Sequence, residues 1–333
     1  MSVHRTQNPV GDSFHDAWVM NSLKDKLREI LGYFDTTRRV VFFDYPLHLN
    51  VGDLLIQRGT EQFFAENKIH VWKRYSIYDM PASIRGMDDD VVIVCHGGGS
   101  FGDLYPLFHE SREKVIRNYP HNPIVILPQT VHFVSPDRLR QSMEIFRSHR
   151  DCHIFARDAR SLEILQRAGI QRTSAMPDMA HYLWGVLKPV VPSAYKSEPL
   201  RIVRRDKEAT ISSVLHGDLD ADRRYDWPII VDRSTSRSMR LVIAAIRKQC
   251  EMGLHTQKYW QWSRIQDRAI QDGVAFFSRY RTIYTNRLHA MLLGLLLSRE
   301  VCAFDNSYGK LSSYRNTWLN EVKSLTWEPD ESR

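Results

Sequence analysis

The 333-residue sequence predicts an α/β protein made of two Rossmann-like lobes with an active site in the cleft between them. Three observations carry this reading. Short apolar runs rich in Val and Ile alternate with segments of helical apolar spacing, as in a parallel sheet buried on both faces. A stretch rich in Gly, Pro and Ser over residues 185–200 interrupts the alternation, which then restarts. The residues just after the apolar runs are Gly, Asn, Asp, His and Arg, and ligands of open parallel sheets sit beyond the carboxyl ends of strands.

In chain order, Leu23, Leu27, Ile30 and Leu31 give a helical lead-in over residues 1–35. Arg39–Asp44 reads as a strand, and Gly52-Asp53 opens a helix through Phe64. His70–Trp72 and Asp90–Cys95 are strands, and the second runs into His96-Gly-Gly-Gly-Ser100. A helix over 110–117, a strand at Pro123–Leu127, a helix over 138–147, a strand at His153–Ala156 and a helix from Asp158 to Ala168 follow. Residues 1–190 are expected to form the N-terminal lobe and 198–333 the C-terminal lobe. There, Leu200–Val203, Ile229–Val231, Arg281–Thr285 and Glu300–Phe304 read as strands, with helices over 237–252 and 290–297.

Composition narrows the function. Hydrophobic residues make up 43% and charged residues 26%, a balance typical of a globular domain. The first residues lack the apolar core of a signal peptide, and no apolar run approaches membrane-spanning length, so the expected location is the cytoplasm. The four cysteines are far apart, which favours buried free thiols over disulfides or zinc. No cofactor or metal site is expected, because HExxH, Walker and GxGxxG spacings are all absent. Net charge is +7, but it is dispersed in pairs such as Arg38-Arg39 and Arg204-Arg205, so nucleic acid is not an expected partner.

Five places carry chemistry. Asn50, Gly52 and Asp53 open a helix, where backbone amides favour an anion; Asp53 serves either a ligand or its helix as a cap. Gly97, Gly98 and Gly99 offer amides that cradle a phosphate or carboxylate, or simply form a tight turn. Arg204 and Arg205 follow the first strand of the second lobe, and paired guanidiniums suit a doubly charged anion. Asn286-Arg287-Leu288-His289 brings an arginine and an imidazole to a helix start, suited to holding an anion and moving a proton. Trp260 and Trp262, flanked by Lys258 and Arg264, are either core with a solvated edge or a rest for a membrane surface.

Taken together, eight motifs in order resemble the polysaccharide pyruvyltransferase family. They are Asn50–Asp53 with Gln57-Arg58-Gly59; His96–Tyr105; Leu127–Thr130; Phe155–Asp158; Met176–Asp178; Val203–Glu208; Asn286–His289; and Phe304–Lys310. Asn286 stands where the family usually has an acidic residue.

The resemblance implies a GT-B-like fold, phosphoenolpyruvate as donor on the C-terminal side, and a terminal hexose of a lipid-linked oligosaccharide or polysaccharide as acceptor on the N-terminal side. The product is a cyclic pyruvate ketal, made in the cytoplasm or at the inner face of the plasma membrane. His289, Arg287 and Arg204 are implied as catalytic residues. Arg205, Asn286 and Lys310 join them around the substrates, with Asn50, Gly52, Asp53, Gly97, Gly98, Gly99, Asp103, Gln129 and Asp178. Asp53, Asp103 and Asp178 are alternatives for activating the acceptor hydroxyl. A GT-B glycosyltransferase using a nucleotide-sugar is the competing reading.

Overall fold

The computed structural model describes residues 9–33, 37–203, 224–225, 227–252, 259–305 and 309–328. The chain groups into two compact units. One consists of Leu27–Leu183 and Trp227–Gly273; the other takes in the described residues of Met1–Lys26, Trp184–Asp226 and Val274–Arg333. This grouping differs from a division at 190/198: the lead-in helix goes with the C-terminal sheet, and residues 227–273 go with the N-terminal one.

After α1 (Pro9–Leu27) and a 3-10 turn at Arg28–Tyr33, the first unit runs β1 (Val40–Phe43), α2 (Val51–Glu66), β2 (Val71–Tyr75), β3 (Val92–Cys95) and β4 (Gly98–Gly102). It continues with α3 (Pro106–Asn118), β5 (Ile124–His132), α4 (Pro136–Ser148), β6 (Cys152–Ala156), α5 (Ala159–Arg167), β7 (Thr173–Ala175) and a 3-10 turn at Met179–Leu183. The strands β1 and β3 are buried at every position, as their unbroken apolar runs demand. Side-chain caps set the helix starts: Asn50 accepts from the Gly52 amide at 3.0 Å, and Asp158 from the Ser161 amide at 2.9 Å.

The sheet order is β2-β1-β3-β5-β6-β7, with β4 also paired to β5, and every pairing is parallel. Because β2 lies on one side of β1 and β3 on the other, the order reverses between β1 and β3. Such a switch point opens a crevice at the carboxyl ends.

The second unit contains β8 (Leu200–Ile202) and β9 (Arg224–Tyr225). The helices α6 (Trp227–Ile230), α7 (Arg233–Glu251) and α8 (Tyr259–Ser278) intervene; the first two and most of α8 belong to the first unit. Then come β10 (Thr282–Thr285), α9 (Leu288–Leu296), β11 (Glu300–Ala303), α10 (Lys310–Trp318) and β12 (Leu325–Trp327). The order β12-β11-β10-β8-β9 is again parallel throughout, and it reverses between β8 and β10. One topology therefore occurs twice.

Two expectations are corrected. Ile229–Val231, expected as a strand, instead overlaps α6, where Trp227 and Ile230 turn into the core and Ile229 is exposed. The three glycines are not simply a turn: Gly98 and Gly99 begin β4, and Gly98 pairs with Gln129.

Gly59 of α2 packs so closely on the 3-10 turn that a Cβ would overlap the Met179 carbonyl. Backbone contact of this kind has no flexible side chain to give way. The variant Gly59→Ala is expected to lose about 2–3 kcal/mol of stability in urea unfolding; an unchanged midpoint would contradict the packing described.

Candidate active site

The switch point of the first sheet gathers most of the residues expected on the acceptor side. Asp44, directly after β1, takes a left-handed backbone conformation (φ 66°) that costs free energy for a non-glycine residue. The turn aims its carboxylate at Arg112 of α3, 2.7 Å away, and both groups are buried. Arg112 also donates to the Ser100 hydroxyl at 2.8 Å. Burial pushes the Asp44 carboxyl up to about 7, with Arg112 opposing the rise.

Asp53, in the first turn of α2, accepts from Asn50 Nδ2 at 2.8 Å, and His48 Nε2 lies 3.6 Å from the same oxygen. Its other oxygen lies 3.7 Å from the point where a Cβ would sit on Gly98, whose φ of 132° is one that other residues rarely adopt. Gly97 is held as closely, since a Cβ there would come within 2.9 Å of the Pro128 carbonyl. Gln129 donates to the His96 carbonyl at 2.6 Å, fixing the loop from the neighbouring strand.

His96 is 5% exposed, and neither ring nitrogen has a hydrogen-bond partner. Its charged surroundings include Asp53, Arg112, His48 and Asp178, yet burial dominates and drives its pKa down to about 3. A neutral, buried imidazole with both nitrogens unengaged is rare in a native core, where polar groups normally find partners. At a sheet switch point it suits hydroxyl groups of a neutral ligand.

The three aspartates proposed for proton abstraction differ in surroundings. Both oxygens of Asp103 accept from the backbone amides of Val134 and Ser135, at 2.8–3.0 Å, and so hold that turn. Asp178 pairs with Arg157 at 2.7 Å in a fully buried ion pair and caps the Ala180 amide. Asp53 has a side chain 25% accessible, so solvent or a ligand can reach it.

In the second sheet, β10 delivers Asn286 and Arg287 to the start of α9, with Arg287 as its N-cap residue and His289 in the first turn. The Arg287 amide donates to the Thr285 hydroxyl at 3.0 Å, and that hydroxyl donates to the Ile202 carbonyl at 2.7 Å. Thr285 therefore ties together the carboxyl ends of β10 and β8 at their switch point. Arg287 and His289 are 8% and 9% exposed. Arg204 and Arg205, which follow β8, lie outside the described residues. Lys310 is buried at the start of α10, whose Leu311 amide bonds to Asp305 at 3.1 Å. Among the described residues, no group of three or more His, Cys, Asp or Glu could hold a metal ion.

Asp44, His48 and Arg112 are missed by the sequence reading, and Arg157 enters it only as part of the Phe155–Asp158 motif, with no role. Arg112 and His48 lie in no sharp motif; the only sequence signal for Asp44 is its place at the end of an apolar run.

Comparison with known proteins shows the family. The model of the polysaccharide pyruvyl transferase family matches residues 50–308. The Bacillus subtilis (strain 168) protein EpsO, a pyruvyl transferase by name, is 38% identical over 94% of each chain. Pyruvyl transferase 1 of Schizosaccharomyces pombe is 24% identical over 86% of this chain and 71% of its own. The crystal structure of a functionally uncharacterised Klebsiella pneumoniae protein shares the fold, with a TM-score of 0.58 at 17% identity, over 92% of this chain and 98% of that one. The chain belongs to the polysaccharide pyruvyl transferase family.

The His96 environment makes stability pH-dependent. The unfolded chain takes up a proton on this residue near 6.5, whereas the folded chain does so only near 3. The stabilisation is therefore complete above 6.5 and is lost as pH falls towards 3. Between pH 7 and 4.5, urea unfolding of the wild type should lose roughly 2–3 kcal/mol more than that of His96→Asn. Parallel losses in both proteins would contradict a neutral, buried His96.

Proposed function

We propose that this member of the polysaccharide pyruvyl transferase family transfers pyruvyl from phosphoenolpyruvate to a terminal hexose of a lipid-linked or polymeric glycan, forming a cyclic ketal. The supporting observation is that Arg287 is the N-cap of α9 and His289 lies in its first turn, at the switch point of the second sheet, in a chain of this family.

The chemistry calls for such a set. Phosphoenolpyruvate carries a phosphate and a carboxylate, which the α9 amides and Arg287 suit, with Arg204, Arg205 and Lys310 as further cationic groups and Asn286 as a polar one. In the reaction, His289 gives a proton to the methylene carbon, converting it to a methyl group and leaving a cationic centre at C2. One sugar hydroxyl attacks C2 and loses its proton, the C2–O bond to phosphate breaks, and inorganic phosphate departs. A second hydroxyl then adds to C2 with loss of its proton, closing the ketal. Arginines and amides around the departing phosphate stabilise the charge that gathers there.

On the acceptor side, Asp53 is the base that activates the hydroxyl. It is accessible and is steadied by Asn50 and His48, whereas Asp103 and Asp178 are committed to backbone and Arg157. His96 and the backbone of Gly52, Gly97, Gly98 and Gly99 bind the sugar, with Gln129 holding their loop.

Incubation with phosphoenolpyruvate and lipid-linked oligosaccharides should release phosphate and raise the glycan mass by one pyruvate less one water. Arg287→Met and His289→Ala should each slow phosphate release by about 10²–10³-fold. Asp53→Asn should lower kcat by about 10²-fold with little change in KM for phosphoenolpyruvate. Thermal stabilisation by nucleotide-sugars but not by phosphoenolpyruvate would refute the reading and favour a glycosyltransferase.

A further inference from the structure

We infer that the exposed face of α7, together with Trp260 at the start of α8, docks this protein on an anionic lipid bilayer. The inference does not depend on the transfer chemistry. The 19 residues of α7 include five cationic side chains, Arg233, Arg237, Arg240, Arg247 and Lys248, against one acidic residue, Glu251. Thr235, Met239 and Ile246 are its buried residues and form one stripe towards the core. At about 100° per residue, the five cations fall within an arc of roughly 100° on the opposite side.

Seven other surface arginines of the same unit show the contrast. Arg39, Arg58, Arg74, Arg138, Arg140, Arg167 and Arg172 each lie within ion-pair distance of a carboxylate. Arg247 lies over the Tyr78 ring at 4.6 Å, and the other four cations of α7 have no carboxylate partner among the described residues. Apolar side chains border the cationic arc. Leu241 is 63% exposed and Met252, the C-cap, 56% exposed, both on the flank of the same helix. Trp260 is 74% exposed, while Trp262, two residues on, is fully buried. Of the two tryptophans in that stretch, one therefore belongs to the core and the other faces outwards.

Five cations with one acidic residue, Glu251, in the same arc, and with Leu241 and Met252 on its flank, have the composition of a surface that lies on a membrane, and Trp260 adds an exposed indole at the start of the next helix. The cations meet anionic headgroups, and the indole and aliphatic groups enter the interface. Among the described residues, no helix is long and apolar enough to cross a membrane, so the contact would be peripheral. Such docking would keep the protein on the surface that presents lipid-linked glycans.

The test is flotation of the full chain with vesicles of phosphatidylcholine alone and of phosphatidylcholine with phosphatidylglycerol, at low and high salt. The wild type should float with the anionic vesicles only, and release as salt rises. Arg237→Glu/Arg240→Glu/Lys248→Glu should reduce the bound fraction tenfold or more, and Trp260→Ser should reduce it less. Arg160→Glu/Arg167→Glu, on the exposed surface of α5, should bind as the wild type does. Thermal unfolding of all variants checks that the fold is kept. Equal binding to both vesicle types, no binding to either, or full binding by the triple variant would overturn the proposal. Capture of polyglutamate without vesicle flotation would also overturn it, in favour of an acidic protein partner.

Discussion

Every strand pairing in both sheets is parallel, and this constraint organises the rest of the molecule. Parallel strands must return through crossovers, so each connection that follows a strand leaves from the same edge. Polar residues that the sequence scatters along the chain are thereby collected at two edges. Within each edge the reversal of strand order selects one place. In the first sheet it lies between the ends of β1 and β3, and so between Asp44, Asp53 and His96. In the second it lies between the ends of β8 and β10, where Thr285 bonds to the Ile202 carbonyl and Arg287 begins α9.

Gathering these groups is costly. Asp44 is held at positive φ, its buried carboxyl is pushed up towards neutrality, and His96 is kept uncharged and unpartnered. A core selected for stability alone would replace such groups with apolar ones. Their concentration at one switch point, surrounded by the apolar residues of β1 and β3, follows the expectation that strain and perturbed ionisation collect where ligands bind. Arg112 and Arg157 limit the cost by pairing with Asp44 and Asp178 at 2.7 Å each.

Much of this was legible from the residues. The strands at Val40–Phe43, Val92–Cys95 and Cys152–Ala156 fall where unbroken apolar runs predict them, since buried parallel strands leave no room for alternation. Ile229–Val231 misled, because three β-branched residues give no period and the buried Trp227 pulls the segment into a helical turn. Gly98 and Gly99 joined the sheet because β5 continues beyond Pro128 and offers a partner, which local sequence does not reveal. The repeated strand order left no sequence repeat, since topology depends on which strands pair and not on which residues fill them. The long-range pair of Asp44 with Arg112 depends on the same folding and carries no local signal, whereas His48 and Asp53 meet across the turn into α2.

The proposed function requires a small dianion at the carboxyl edge of the second sheet, on the first turn of α9. Hydrogen exchange of backbone amides, measured by mass spectrometry with and without saturating phosphoenolpyruvate, tests it most directly. First-turn amides have no partner within their own helix, so a bound anion protects them. Binding there slows exchange in peptides spanning residues 286–290 and leaves exchange in α4 unchanged. Unchanged exchange at 286–290 under saturating ligand, or protection confined to segments at the opposite edge of the sheet, would contradict it.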